Sequence, residues 1–467
     1  MIQLDVLPDD VLLGIFDYYE DTVDPPYKRK TKIEAWQTLV HVCRRWRNLV
    51  FRSPRRLNLR LFCTTRTPVR HRLDIWPALP LIVSDFMTSL SGTDNIVAAL
   101  GQSNRVCQID FTAAGLRLDK VLAPMQVPFP ELTDLQLSSF NRDKTVIPST
   151  FLGGSAPRLQ ILTLTSVSFP GLPKLLLSTS HLVELYLRRI PDSGEISPEA
   201  IVPTLSMLSN LKSLTLNLDH FRPYSDRGNS SLPPPKRSIL PALAQFRFDG
   251  LIDYLEQLVT RIDTPQLDKI HVNLLSRTEF NFSCPRLVQF INRMPTSRVL
   301  DEAHVEFHDS TARLGLRYRA SSLDKLLINI SSCAEHLQLL SIKQVCNPSL
   351  HLLSTVEDLY VEHRCCELDW KNDEIGNDIW LQLLLPFIAV KNLYLSKGIA
   401  LGIAAALREL VGDRITEVLP NLQHIFMKEL EPSGPFQENI GQFLAARQLS
   451  NHIIAVSVWG QDLKLPT

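Results

Sequence analysis

From residue 106 onward the apolar residues fall into a repeated phrase, apolar-x-x-apolar-x-apolar. Its last two apolar positions alternate with a variable one and so mark one face of a β-strand. The phrase runs through Val106-Ile109-Phe111, Leu132-Leu135-Leu137, Leu159-Leu162-Leu164, Leu182-Leu185-Leu187 and Leu211-Leu214-Leu216. Its starts lie 26, 27, 23 and 29 residues apart, enough chain for one strand and one return helix or turn. Looser copies follow at Leu243-Phe246-Phe248, Leu267-Ile270-Val272, Leu323-Leu326-Ile328, Val356-Leu359-Val361, Val390-Leu393-Leu395 and Leu422-Ile425-Met427. The last three start 34 and 32 residues apart, which predicts longer helices between those strands. Helix is also expected over residues 334–346 and over 403–411, where alanines and leucines surround Arg408-Glu409.

The period lies in the leucine-rich-repeat range. It predicts an α/β fold over residues 106–467: an irregular solenoid with a parallel sheet on its concave face and helices or loops outside. Irregularity follows because most copies lack the Asn or Cys that regular repeats place after the strand. Residues 221–240 carry Gly228, Pro233, Pro234 and Pro235 with no periodicity, which predicts a mobile excursion.

The first sixty residues follow a different rhythm. Pro8, Asp9 and Asp10 open a helix, since proline suits the first helical position and acids complement the helix dipole. Val11, Leu12, Ile15 and Phe16 give that helix an apolar stripe. The stretch from Asp24 through Lys30, with Pro25 and Pro26, cannot continue a helix and reads as a loop. A second helical segment, bent or split, spans residues 34–51 through Trp36, Leu39, Val40, Cys43, Trp46, Leu49 and Val50, and stops at Ser53-Pro54. Helices this short cannot bury two tryptophans and this many aliphatics by themselves. The same residues would also suit two amphipathic helices capping a repeat array.

Leu7-Pro8, then Ile15-Phe16, then Val42-Cys43 with Trp46 three residues on, is a pattern that resembles the F-box family. The resemblance implies a small all-helical domain over residues 1–62, a connecting segment over 63–105, and a repeat domain that binds a target protein. It implies that Leu7, Pro8, Ile15, Phe16, Leu39, Val42, Cys43 and Trp46 meet or support a Skp-type adaptor and, through it, the cullin and RING protein of a ubiquitin ligase. The loop through Pro25 and Lys32 is longer than family members usually place there, and would sit where it can cap or obstruct docking. Three further stretches, PFIAVKNLYLSKG (residues 386–398), VLPNLQHIFMKELEPSGP (418–435) and IGQFLAARQLSNHIIAV (440–456), resemble the expanded F-box families of mushroom-forming fungi. Those families imply the same two-part layout and share no agreed substrate.

Composition narrows the function further. The chain has 467 residues, 45% of them hydrophobic, with 49 basic and 49 acidic side chains, so it carries no global field favouring nucleic acid or an anionic membrane. Charge is uneven locally: residues 28–72 hold fourteen Lys or Arg against the single acid Glu34. Arg44, Arg45, Arg47, Arg52, Arg55 and Arg56 either steer the module toward an acidic adaptor or form a solvated face; no aromatic platform is interleaved with them for nucleic acid. Eight cysteines without a C-x-x-C pair suggest reduced thiols rather than a disulfide framework or zinc site. The opening MIQLDVLPDD lacks a basic lead and long apolar run, and the apolar window 379–390 is broken by Gln382 and Pro386, so an intracellular protein without membrane spans is expected.

Phosphate-binding, nucleophile-elbow and zincin motifs do not occur, so no catalytic residue and no cofactor are expected. His363, Cys365, Cys366 and Asp369 form the densest group of metal-ligand types, yet adjacent cysteines on a strand point to opposite faces, and no metal is expected. Asp192-Ser193-Gly194-Glu195-Ile196-Ser197 has the form of a doubly phosphorylated degradation signal, or of a turn between repeats. The sequence thus predicts a substrate receptor of a Skp-cullin-F-box ligase. A repeat scaffold that binds the adaptor without ubiquitin transfer, or a repeat-fold enzyme regulator, fits the same residues.

Overall fold

Leucines of the repeated phrase become the buried side of a β-sheet. The computed structural model describes residues 7–21, 35–54, 56–57, 59–66, 69–86, 91–113, 116–140, 145–190, 196–218, 237–275, 282–295, 300–332, 335–364, 376–428 and 435–458. The chain divides into two compact units, Met1–Leu182 and Val183–Thr467.

The first unit opens with α1 (Asp9–Asp21), α2 (Ala35–Val40) and α3 (Arg44–Arg52), followed by β1 (Leu61–Cys63), α4 (Val69–Ile75), β2 (Leu81–Phe86) and α5 (Thr93–Leu100). It continues through β3 (Val106–Ala113), α6 (Leu116–Leu122), β4 (Asp134–Ser139), β5 (Ile161–Thr165) and α7 (Leu172–Leu176). The strands lie side by side in chain order and all parallel. In register, Ile109, Leu135 and Leu162 make one cross-strand row and Phe111, Leu137 and Leu164 the next, none more than 1% exposed. Pairing begins at Leu61, so residues 63–105 are not a bare connection: β2 and α5 extend the strand-and-helix pattern ahead of Val106.

The second unit runs β6 (Glu184–Arg188), α8 (Pro198–Ser206), β7 (Ser213–Asn217), β8 (Ser238–Ile239), β9 (Gln245–Leu251), α9 (Ile252–Arg261), β10 (Ile262–Asp263), β11 (Lys269–Leu275) and α10 (Pro285–Ile291). Then come β12 (Glu302–His308), β13 (Thr311–Arg317), β14 (Leu326–Ser331), α11 (Glu335–Val345), β15 (Asp358–His363), α12 (Asn377–Leu384), β16 (Asn392–Leu395), α13 (Lys397–Arg408), β17 (His424–Met427), α14 (Pro435–Leu449) and β18 (Ala455–Val458). The large sheet is ordered β6-β7-β9-β11-β14-β13-β12-β15-β16-β17-β18. Leu185, Leu214, Phe246, Ile270 and Leu326 stand in one buried row across it. The helices cover this apolar side, as ring contacts show: Phe246 lies 6.1 Å from Phe290 of α10 and Phe307 lies 6.3 Å from Trp380 of α12.

The architecture is therefore mixed α/β with a large and mainly parallel sheet. Two expectations need correction. The sheet is not wholly parallel, because β13 runs antiparallel to both β12 and β14; the Asp309-Ser310 turn folds β12 and β13 into a hairpin. The excursion over 221–240 is shorter than read: residues 238–239 pair with β10, and Leu240 is buried. Its residues 221–236 fall outside the described ones.

Near the carboxyl end, a fully buried Arg447 from α14 donates through Nη2 to the carbonyls of Val418 and Leu419 at 2.7 and 3.1 Å. Leu419 has φ +50°, a strained value for a branched side chain. The arginine thereby fixes the turn that launches β17. Among the described residues, no helix is long and apolar enough to cross a membrane.

Candidate functional site

Two surfaces present apolar, aromatic or charged side chains to solvent, one in each unit. The first is built on α1 to α3. Pro8 accepts through its carbonyl from the amides of Val11 and Leu12 at 3.1 Å and so starts α1. Leu12, Leu13 and Phe16 turn inward, while Val11, Ile15 and Tyr18 recur at i, i+4 and i+7 and stay 46, 42 and 73% exposed. The second helical segment is split at His41-Val42, where Cys43 caps α3 by accepting the Trp46 amide on its sulfur at 3.4 Å. Val42, at the break, is 56% exposed.

The eight residues assigned to adaptor docking consequently separate into two jobs. Phe16 and Leu39 are buried, and the half-buried Trp46 lies 4.8 Å from Phe16, which locks α3 to α1. Cys43 caps, and Leu7 offers its carbonyl to Arg45. Pro8, Ile15 and Val42 face solvent. Tyr18 belongs to the same exposed stripe; helical spacing from Val11 and Ile15 was the signal that could have found it. The loop through Pro25 and Lys32 lies outside the described residues.

The basic run does more than coat a surface. Arg45 pairs with Asp9 at 2.7 Å, Arg56 with Asp17 at 3.3 Å, and Arg47 donates to the carbonyl of Val40 at 3.0 Å, so these three tie the helices together. Arg44 and Arg52 remain exposed; Arg55 is outside the described residues. Trp36, buried in α2, donates to the Arg60 carbonyl at 3.1 Å and meets Trp76 edge-on at 5.2 Å.

The second surface is the side of the second-unit sheet opposite its helices. Strand alternation sends Leu, Val and Ile toward the helices and the intervening residues here. In register across β12, β15, β16 and β17, His304, Tyr360, Tyr394 and Phe426 form a row of stacked rings with centroids 4.4, 4.1 and 4.6 Å apart. Beside the row, Glu302 accepts from Arg317 Nε at 3.0 Å and lies 2.6 Å from His304 Nε2. Asp358 accepts from Arg319 Nε at 2.8 Å and Asn392 Nδ2 at 2.6 Å. On the other side, Arg364 reaches Glu306 at 2.8 Å and Glu362 at 3.1 Å. Farther along, Asn217 donates to Asp249 at 2.9 Å and Asn329 to Asn273 at 2.6 Å, while Asn273 donates to Asp249, which links β7, β9, β11 and β14.

Burial raises the Glu302 pKa, but the hydrogen bonds from His304 and Arg317 and the arginine's charge outweigh it and leave the carboxyl below its ordinary range. Burial, reinforced by Tyr394 and two acids, pushes the Tyr360 hydroxyl far above the tyrosine range, so it stays a donor. Burial and the nearby Arg247 push His271 down, which favours its neutral form. Fixed carboxylates, guanidiniums and neutral rings suit recognition of another molecule's surface. Sequence reading expected this face to receive a partner without naming its residues. The pairs link positions such as Arg319 and Asp358 that are far apart in the chain, and no local pattern announces them.

Among the described residues, no group of three His, Cys, Asp or Glu is placed to hold a metal ion. His363 lies on β15, and Cys365, Cys366 and Asp369 fall outside the described residues. So do Asp192 to Glu195 of the candidate degradation signal, whereas Ser197 caps α8 by accepting the Ala200 amide at 3.3 Å.

No family model and no curated protein matches the chain. Among solved structures, similarity is found to the leucine-rich-repeat protein LegL7 of Legionella pneumophila, at 14% identity and a TM-score of 0.27, covering 77% of this chain and 96% of that one. The yeast Rad7 and Elc1 complex is similar at 14% identity and a TM-score of 0.27, covering 90% of this chain and 88% of that one.

Proposed function

We propose that this protein is the substrate-recognition subunit of a Skp-cullin-F-box ubiquitin ligase. In this reading α1 to α3 are an F-box that docks a Skp-type adaptor, and the sheet and helices behind it are an irregular leucine-rich-repeat solenoid that holds a target protein. The carrying observation is the exposed apolar stripe of Val11, Ile15 and Tyr18 with Val42, on helices whose opposite faces are fully used in packing. Apolar side chains in that density are what another polypeptide covers. The F-box-like order of Leu7-Pro8, Ile15-Phe16 and Val42-Cys43 through Trp46 supports the choice of adaptor.

The chain itself catalyses nothing in this mechanism. It holds the target next to a ubiquitin-carrying enzyme recruited through the cullin and RING protein, and the gain is effective concentration and orientation. Affinity purification of wild type and of the Val11→Asp, Ile15→Asp double variant tests it. Adaptor and cullin should both accompany the wild type and both disappear from the variant. Adaptor without cullin would reduce the role to a scaffold, and absence of the adaptor from wild type would end the proposal.

A further inference from the structure

Charge on the second-unit sheet face is layered. Asp358 is 6% exposed and its partner Arg319 49%; Glu306 is 5% exposed and Arg364 48%; Glu302 is 3% exposed and Arg317 23%. In each pair the carboxylate is the floor and the guanidinium the surface. Arg317 and Arg319 grip their carboxylates through Nε and Nη2, and Arg364 uses the same two nitrogens on Glu362 and Glu306. The outer Nη1 edge takes no part in these pairings, and a guanidinium edge is built to accept a second planar or tetrahedral anion. Glu357, the better exposed acid beside them, is held by Lys391 at 2.7 Å.

Position adds direction to this charge. Arg317 and Arg319 flank the ring row on the side of Glu302 and Asp358, and Arg364 flanks it on the side of Glu306 and Glu362. The row then continues through Tyr394 to Phe426, between Asn392 and His424 on one side and the ends of β16 and β17 on the other. From β12 to β17 across β15 and β16 the row covers three strand spacings, about 14 Å, which is roughly four residues of extended chain. One end shows guanidiniums at the surface above their buried carboxylates, and the other is aromatic.

We infer that this row binds an extended acidic segment of a partner protein, with Asp or Glu carboxylates on the outer edges of Arg319 and Arg364 and apolar side chains against Tyr394 and Phe426. The inference rests on the reading of this face as the target receptor, and names the class of target. Bidentate pairing to arginines whose own counter-ions are buried gives affinity and register together, and the stacked rings supply a rigid contact strip that loses little entropy on binding.

The test uses the full chain and three fluorescein-labelled dodecapeptides that share two leucines and a phenylalanine and differ only in carrying four glutamates, four glutamines or four lysines. Fluorescence anisotropy should give the glutamate peptide an affinity about tenfold above the glutamine peptide at low salt, a gap that narrows as ionic strength rises. Arg319→Gln made together with Asp358→Asn removes the surface cation and its buried counter-ion at once, so no unpaired charge is left to unfold the sheet. That pair should erase most of the gap, while Tyr394→Ala weakens glutamate and glutamine peptides alike. Equal binding of the glutamine peptide, preference for lysine, or binding only when serines replacing the glutamates are phosphorylated would overturn the inference. Titration with purified Skp-type adaptor runs in parallel. Adaptor binding without peptide binding removes this inference alone, and peptide binding without adaptor binding removes the ligase reading and leaves the acidic-segment site standing.

Discussion

Replacing Ile15 by aspartate separates docking from folding on α1. Ile15 keeps close to half of its side chain in water, as do Val11 and Val42. Full burial of such a side chain is worth roughly 1.5–3 kcal/mol, so completing it in an interface adds about 1 kcal/mol at this position. Aspartate forfeits that gain and places a carboxylate in an apolar contact, at a further cost of about 2 kcal/mol or more. The loss of roughly 3 kcal/mol corresponds to more than about a hundredfold in adaptor affinity. Folding notices less, because the residue is already 42% exposed in the free protein and the change in helix propensity is only a few tenths of a kcal/mol. Calorimetric titration of a Skp-type adaptor into wild type, Ile15→Leu and Ile15→Asp measures the first quantity, and thermal melting measures the second. Ile15→Leu should match wild type. An aspartate variant that melts normally and binds the adaptor within about threefold of wild type would refute the assignment of this stripe to docking.

Trp46→Ala should behave differently: the ring is half-buried against Phe16, so its loss costs about 2 kcal/mol of folding and lowers melting temperature and adaptor affinity together, as scanning fluorimetry and titration will show. Gly315→Ala places a methyl group 3.0 Å from Asp324 Oδ1, which must move away from Arg313; a destabilisation of about 1–2 kcal/mol is expected in thermal melts, and no change would mean that the Asp324 pairing is loose. Because Glu302 has a depressed pKa in the folded protein, the stability its pairing supplies is fully present above the ordinary value of 4.5 and is lost as pH falls through the lower folded value. Melting of wild type and Glu302→Gln should therefore converge as pH drops below 4.5, and a constant difference down to the acid limit would contradict the pairing.

What the sequence reveals depends on how local the governing interaction is. The strands from β3 to β7 were readable because each writes its buried face in Leu, Ile, Val or Phe at the same spacing. The caps of α1 were readable for the same reason, since Pro8 and Asp9 act within one turn. β2 was missed because Leu81, Ile82 and Val83 are an unbroken apolar run without the spacing of the phrase. The β12-β13 hairpin was missed because its buried side begins with the small Ala303 and Ala312, and its other side alternates Glu302, His304 and Glu306 with Arg313 and Arg317 across the pair. On the proposed docking surface, residue identities suggested one face where there are two: Phe16 and Leu39 pack inward and Pro8, Ile15 and Val42 outward. Cys43 illustrates the limit, since cysteine is not a usual helix cap and only the geometry reveals its sulfur accepting the Trp46 amide.

The three strands β12, β13 and β14 also alter how the second unit can be divided. After β11 the chain lays down β12 three places away, turns back through β13, and only then sets β14 against β11, before crossing to place β15 beyond β12. A row of repeats in which each unit leans only on its neighbours can lose or gain a unit by recombination without much harm. Here, cutting the chain between Glu302 and Ser331 strands β12, or the β12-β13 hairpin, away from the strand that joins it to β11. Evolutionary shuffling and laboratory truncation alike must treat these three strands as a single block, so the permissible joints lie before β12 or after β14.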